Sequence, residues 1–281
     1  MSRLHSKWVM LVAITAFAIP ACHSHAYASA LTAQTPDNLT EEQMRDFLLK
    51  AQVVGSKQGG KGTTSPYRLT LKDGSMVHDG SFQAVDEQKT SRQFDNGKTE
   101  ANFRDSYKYN IAAFEVAKML GLGDMMPVTV ERKWENKIGS LSWWLPAMMD
   151  EEKRLSKHTE PPDRNAWNKQ LNKMYVFAQL VYDTDRNAGN LLISENWHLW
   201  MIDFSRAFRI YASLENPKNL VMCDRQLLQN LQQLNAAELE QKTKKWLTKD
   251  EIKGVMARRD KIVTFFDDLI AKKGEQAVLY D

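Results

Sequence analysis

The stretch Tyr182-Asp-Thr-Asp-Arg-Asn-Ala-Gly-Asn-Leu-Leu-Ile193 runs through Ser194-Glu-Asn-Trp197 into His198-Leu-Trp-Met-Ile-Asp-Phe-Ser-Arg-Ala-Phe208, and its reading decides the fold. Two short apolar runs flank a polar break, the pattern of a β-hairpin. A turn between Asn196 and Trp197 places Asn190 opposite Asp203 on one face, with Cβ atoms roughly 4.5–5.5 Å apart. Two oxygen ligands at that separation suit a divalent cation, and Mg²⁺ takes one or two such protein ligands while phosphate and water supply the rest. Asp185 stands five residues before Asn190 on the loop leaving a long helix, where its carboxylate is free to orient or deprotonate a hydroxyl beside the metal. Asp and Asn are also ordinary turn formers, so Asp185 and Asn190 alone decide little. Asp203 decides more. A carboxylate directly after Leu199-Trp-Met-Ile202 is costly to bury unpaired, and a cation relieves that cost.

On the N-terminal side, Trp167, Leu171, Met174, Ala178 and Val181 step by four and three, which predicts a helix with one buried stripe. Earlier, Thr40-Glu-Glu-Gln43 carries a capping-box pattern ahead of Met44, Phe47 and Leu48, predicting a short opening helix. Ala51-Gln-Val-Val54, Tyr67-Arg-Leu-Thr-Leu71, Phe82 to Val85, Val128-Thr-Val130 and Gly139-Ser-Leu-Ser-Trp143 read as five strands, with Asp73-Gly74 as a hairpin turn. Between the first two strands lies a glycine-rich connection, Gly55-Ser-Lys-Gln-Gly-Gly-Lys-Gly62. Ile111, Ala112, Phe114, Val116 and Met119 recur at helical intervals until Gly121-Leu-Gly123 stops them. The charged stretch 150–163 reads as a surface crossing. Beyond Arg209 the chain is helical throughout, with a second capping box at Thr248-Lys-Asp-Glu251 ahead of Ile252, Val255, Ile262, Phe266 and Leu269. His78, His158 and His198 have no ligand spacing, Cys223 reads as a small buried hydrophobe, and Trp143-Trp144 as packing. The organisation expected is an α+β chain of two lobes. Residues 31–149 form a small β-sheet lobe with one helix, and residues 150–281 a mainly helical lobe.

Residues 1–30 read as a secretory signal: Arg3 and Lys7 precede the apolar run Trp8 to Ile19, Pro20 breaks it, and Ala26-Tyr-Ala28 and Ala28-Ser-Ala30 offer cleavage sites. A lipoprotein cut before Cys22 is the lesser alternative, and only that route attaches the chain to a membrane. The body is therefore expected outside the cytoplasm, periplasmic or secreted. Thirty-eight Lys plus Arg against thirty-five Asp plus Glu gives a net charge of +3, too balanced to point to nucleic acid, and loss of Arg3 and Lys7 with the leader lowers it further. Two cysteines, Cys22 and Cys223, cannot form a disulfide framework or a four-ligand zinc site between them.

An Asp, an Asn five residues on, and an Asp-Phe pair thirteen beyond it, all after a long helix, resemble the catalytic loop and metal motif of the protein-kinase-like fold. The order Asp185-Arg186 then Asn190 looks like the atypical branch containing the phosphatidylinositol 3- and 4-kinases. Asn110-Ile-Ala-Ala-Phe-Glu-Val-Ala-Lys-Met-Leu-Gly-Leu122, Met126-Pro-Val-Thr-Val-Glu-Arg132 and Arg206-Ala-Phe208 are similar to the secretory-pathway Golgi casein kinases. The resemblance implies ATP with Mg²⁺ or Mn²⁺ in an interlobe cleft, Asp185 as the catalytic base or orienter, Asn190 and Asp203 as metal ligands, and a hydroxyl-bearing acceptor, a protein Ser/Thr in the casein-kinase case.

The chain also departs from that family. Gln83 stands where a third-strand lysine is expected, and Asn110 where the helix carries an acid, leaving Glu115 or Glu100 as substitutes. Lys61 in Gly59-Gly60-Lys61-Gly62 offers an ammonium from the glycine-rich loop, whose backbone N–H groups suit phosphate, and Lys57 is a weaker alternative. Ser205 replaces the glycine after Asp-Phe. The missing lysine keeps a second reading open, a catalytically inactive pseudokinase that binds a nucleotide or a partner. The intact Asp185, Asn190 and Asp203 set opposes it.

Overall fold

Thr40 caps the first helix, α1 (Glu41–Lys50): its Oγ1 accepts from Gln43 N at 3.3 Å and Gln43 Oε1 accepts from Thr40 N at 2.8 Å. The computed structural model describes residues 39–59, 66–94, 97 and 99–281, which fall in one compact unit. The leader 1–30 with Cys22, and Gly60, Lys61 and Gly62, lie outside the described residues.

After α1 come β1 (Gln52–Gln58), β2 (Tyr67–Asp73) and β3 (Met76–Gln83). Gly74 takes φ +56° in the two-residue Gly74-Ser75 connection, which fixes the β2–β3 register from Tyr67↔Phe82 to Asp73↔Met76. β4 (Asp86–Gln93) and β5 (Thr99–Ser106) form a separate hairpin that the sequence reading lacked. Then follow α2 (Tyr107–Met119), β6 (Thr129–Trp134) and β7 (Lys137–Trp143). The main sheet is antiparallel in the order β1-β2-β3-β7-β6; four of its strands overlap those expected from the sequence, while the third runs Met76–Gln83 and ends before Ala84 and Val85. Two helices rather than one pack on it, since α1 contacts β2, β6 and β7 while α2 contacts β6 and β7. α2 is apolar on nearly every side and is buried accordingly, from Tyr107 to Ala117 with only Lys108 partly exposed.

β8 (Met149–Asp150) and α3 (Glu151–Ser156) occupy the start of the charged stretch read as a surface crossing. Asp150 caps α3 by accepting from Lys153 N at 2.7 Å, and Glu151 is buried against Arg154 at 2.5 Å. Charge there serves helix initiation and a buried ion pair. The long helix α4 (Arg164–Val181) ends at Tyr182, whose φ of +50° turns the chain into the loop before β9 (Leu191–Ile193) and β10 (Leu199–Met201). Beyond them lie β11 (Cys223–Asp224), α5 (Arg225–Gln233), α6 (Ala236–Thr243), α7 (Lys249–Lys273) and β12 (Leu279–Tyr280), which pairs parallel with β11. Cys223 is fully buried, and burial pushes its thiol up to about 12, as suits a packed hydrophobe. Among the described residues no helix is long and apolar enough to cross a membrane.

Two polar contacts join helices that are distant in sequence. Glu251 completes the capping box of α7 by accepting from Thr248 N at 2.7 Å, and it also accepts from the buried hydroxyl of Tyr109 on α2. Arg258 on α7 is fully buried and donates to Leu180 O at 2.7 Å, Arg209 O at 2.8 Å and Tyr211 O. Burial lowers its guanidinium to about 10, so it stays charged at neutral pH. Gly254 makes room for it, since a Cβ there would come within 2.9 Å of Arg258 Nη1. Arg258→Met keeps most of the volume but strands three carbonyls, and is expected to cost on the order of 3 kcal/mol. Urea unfolding of both proteins measures this, and a change under about 1 kcal/mol would show that water replaces the guanidinium.

Candidate active site

The β9–β10 hairpin sets the floor of the site, with a register one residue away from that expected. Leu191↔Met201, Leu192↔Trp200 and Ile193↔Leu199 are the pairs, and Ile202 N donates to Asn190 O at 3.1 Å. Asn190 therefore faces Ile202, and Asp203 lies one position further on. The reason is the turn: Ser194 N bonds to His198 O, and Trp197 N to Ser194 O, around a three-residue loop in which Trp197 takes φ +63°. That is a type I turn with a bulge rather than a two-residue turn, and the left-handed position carries Trp where glycine is the usual signal. A one-residue slip in a regular strand would send Asp203 to the opposite face. Asp203 leaves the strand with φ +55°, and the side chains of Asp203, Asn190 and Asp185 all border one cavity.

Arg186 holds these segments together. Its side chain is buried and pairs with the buried Asp183, Nε to Oδ2 at 2.7 Å. Nη1 donates to Asn190 O at 2.8 Å and Ile202 O at 2.9 Å, Nη2 donates to Asp203 O at 3.2 Å, and the guanidinium lies 4.2 Å from the centre of the Phe204 ring. Asn190 Nδ2 donates to Asp185 O at 3.1 Å, and Asp183 Oδ1 accepts from Asp185 N at 3.1 Å. Arg186 thus acts as scaffold.

The cavity has a volume of about 800 Å³. Leu145, Ala147, Leu192, Met201 and Ile202 give it an apolar slot, while Ser81, Thr129, Ser140 and Ser142 of the main sheet line another side. Asp105, Asp150, Glu152, Asp185 and Asp203 bring carboxylates, and Arg206 is the single cation among the described lining residues. Trp143 stacks on His78 with ring centres 3.8 Å apart, so it packs within the fold while also bordering the cavity. Burial pushes the Asp185 carboxyl above the usual range; the Arg206 guanidinium at 3.6 Å pulls it down, and Asp183 and Asp203 push it up.

At the end of β3, Gln83 occupies the position of the expected lysine and meets Asn110 of α2. Asn110 Nδ2 donates to Gln83 Oε1 and, at 3.2 Å, to Ser140 Oγ, while its Oδ1 accepts from Phe204 N at 2.7 Å. Gln83 Nε2 lies 3.5 Å from Asp203 Oδ1. A chain of neutral amides therefore runs from the helix to Asp203. Gly139 permits the approach, since a Cβ there would come within 2.4 Å of Gln83 O. The two substitute acids do not reach Gln83: Glu115 pairs with Arg45 at 3.0 Å and Lys118 at 3.0 Å, and Glu100 with Arg206 at 2.5 Å and Arg209 at 2.6 Å. Lys57 lies on β1, paired in register with Arg68, and Gly59 N donates to Pro66 O at 2.7 Å at the base of the glycine-rich connection.

The sequence reading missed Asp105, the penultimate residue of β5, because nothing in its spacing relates it to Asp203. Only the β4–β5 hairpin brings it to the cavity. The oxygen donors suit a hard cation, with Asn190 and Asp203 as a pair and a buried Asp105 Oδ1 that lacks a hydrogen-bond partner among the described residues. Among the described residues no three His, Cys, Asp or Glu side chains form a metal cluster by themselves, so any cation here needs ligands beyond the carboxylates.

No protein-family model and no curated protein matches the chain. Solved structures do. A Fam20 protein from hydra, solved with sugar, superposes with a TM-score of 0.61 at 15% identity, covering 85% of this chain and 91% of that one. The Helicobacter pylori proinflammatory kinase CtkA superposes with a TM-score of 0.48 at 10% identity, covering 83% and 99%. The likeness to the hydra protein, together with an antiparallel sheet before a helical region, gives the chain an atypical protein-kinase-like fold.

Proposed function

We propose that the chain is an exported phosphotransferase that binds ATP with Mg²⁺ or Mn²⁺ in the cleft and moves the γ-phosphoryl group to a hydroxyl acceptor. The observation that carries this reading is the convergence of Asp185, Asn190 and Asp203 on one cavity, with their loops fixed by the buried Arg186. The slot of Leu145, Leu192, Met201 and Ile202 is the apolar surface a nucleobase needs. Asn190 and Asp203 would hold the cation, whose charge offsets that of the phosphates. Asp185 orients the acceptor hydroxyl and takes its proton as the new O–P bond forms and the bond to the leaving ADP breaks. The acceptor is a hydroxyl compound, with protein Ser/Thr as the working choice.

The test is incubation of the full chain with labelled ATP and Mg²⁺ or Mn²⁺, following thermal shift and label transfer together. Asp185→Ala is expected to keep the nucleotide-dependent shift and lose transfer by about 10²–10⁴-fold, the range for a general base. Asp203→Ala is expected to lose both. Stabilisation without transfer in the unaltered chain would support a binding module instead, and absence of stabilisation with either metal would overturn the nucleotide site.

The amide pair of Gln83 and Asn110 is the specific observation that favours the pseudokinase reading, because it supplies no charge to a phosphate. In our reading the ammonium comes from Lys61 in the glycine-rich connection. Lys61→Met should then abolish the nucleotide response that Lys57→Met retains, and equal responses would remove Lys61 from the site. Gln83→Lys combined with Asn110→Glu should tighten ATP binding on the order of tenfold, about 1.4 kcal/mol, if phosphates lie beside Gln83. Unchanged affinity in isothermal titration would place them elsewhere.

Export rests on the pattern of residues 1–30. N-terminal sequencing of the protein recovered from its native host is expected to start at Ser29 or Leu31, and a chain that starts at Met1 would refute export by this leader.

A further inference from the structure

We propose that Asp105 is a cation ligand, holding a divalent metal together with Asp203 at the end of the cleft bounded by Gln83. The inference rests on the nucleotide–metal reading above and adds to it a residue from outside the catalytic loop and hairpin. Asp105 is 2% exposed, and its Oδ1 is buried with no hydrogen-bond partner among the described residues. Buried polar atoms are almost always satisfied, so an orphaned carboxylate oxygen on a residue that borders a cavity points to a ligand. That cavity is shared with Asp203, Gln83 and Ser205.

The backbone fixes this placement. Ser106 N donates to Ser205 O at 2.8 Å, which ties the end of β5 to the segment that carries Asp203. Lys89, Arg92 and Lys137 line a second cavity that Asp105 also borders, but none of them bonds to Oδ1, and Lys89 is held by Glu87 at 2.9 Å. Arg206 borders the same cleft but is engaged by Glu100 at 2.5 Å and Asp185 at 3.6 Å, and Arg92 pairs with Glu87 at 3.4 Å. Gln83 and Asn110 are neutral where an ammonium and a carboxylate would otherwise meet. In the cavity that Asp105 shares with Asp203 no lysine stands among the described lining residues, and a hard divalent cation completed by phosphate or water oxygens is the ligand their chemistry selects.

Manganese binding to the full chain, read from the loss of the free Mn²⁺ electron-spin signal with ATP present, tests the proposal. Asp105→Asn keeps the shape of the side chain. It is expected to weaken Mn²⁺ binding at least tenfold while its metal-free melting temperature holds or rises, because Asn can keep the Ser205 contact and removes a carboxylate that burial disfavours. A purely structural aspartate would give the reverse pattern, a lowered melting temperature with binding intact, and that result overturns the proposal. Asp203→Asn separates it from the broader reading. If Asp203→Asn loses Mn²⁺ and Asp105→Asn does not, the metal site stands and Asp105 does not belong to it. If the unaltered chain binds no Mn²⁺, both fall. Should Asp105→Asn fail to fold, Fe²⁺-directed cleavage of the unaltered chain gives an independent reading. Cuts beside both Asp105 and Asp203 are expected, and cuts beside Asp203 alone overturn the proposal.

Discussion

The buried Arg186 is the constraint on which the floor of the cleft depends. Burying a guanidinium and a carboxylate is expensive, and the pair with Asp183 is tolerable because the remaining donors of Arg186 find three backbone carbonyls and its flat face meets Phe204. Those carbonyls belong to Asn190, Ile202 and Asp203. One side chain therefore sets the spacing between the loop that follows α4 and the segment after β10. Four of the seven described non-glycine residues with positive φ, Tyr182, Trp197, Asp203 and Phe208, fall within this stretch. Each such residue stores about 1–3 kcal/mol that the surroundings must offset. The concentration of strain where Arg186 and Arg258 bind backbone carbonyls identifies the region whose geometry the fold is built to hold.

Asn110 has a comparable role in the layer above. Its amide bonds simultaneously to Gln83, Ser140 and the N–H of Phe204, so α2, β3, β7 and the segment after Asp203 meet at one side chain. In an ion-pair version of this junction, position 83 would carry a positive charge into the cleft. The amide version keeps the connectivity and removes the charge. That trade explains how the kinase-like arrangement persists geometrically while the cleft becomes rich in carboxylates, and it makes cations in solution the natural source of the missing charge.

Much of the architecture was legible because local signals and tertiary roles coincide. Thr40 and Thr248 cap helices as their spacing predicts, and Glu251 goes further by also receiving Tyr109. Ile252, Val255, Ile262 and Phe266 are buried as their periodicity requires, with Leu269 only partly so. The hairpin of β9 and β10 was legible as a hairpin, but its register was not, because Trp197 occupies a left-handed position that its side chain does not advertise. The β4–β5 hairpin left even less trace. Its strands are largely polar and exposed, Phe103 being its one fully buried apolar residue, and it is held by contacts that sequence spacing cannot reveal.

Those contacts make the hairpin a component of the site rather than an ornament on the sheet. Glu100 receives both Arg206 and Arg209, while Arg206 also reaches Asp185 and stacks over Phe94 and Phe103. The hairpin thus holds the one cation of the described cleft lining and partly neutralises it. The tether from Ser106 to Ser205 does the same for position, fixing the end of β5 beside the segment after Asp203. A two-stranded ribbon has little core of its own and is marginal alone. Its order depends on the arginines that follow Asp203, and the place of Arg206 in the cleft depends in turn on the ribbon. Displacing the ribbon would free the charge of Arg206 toward Asp185 and withdraw Asp105 from the wall in one movement, so the electrostatics of the floor and the packing of the hairpin form a single linked equilibrium.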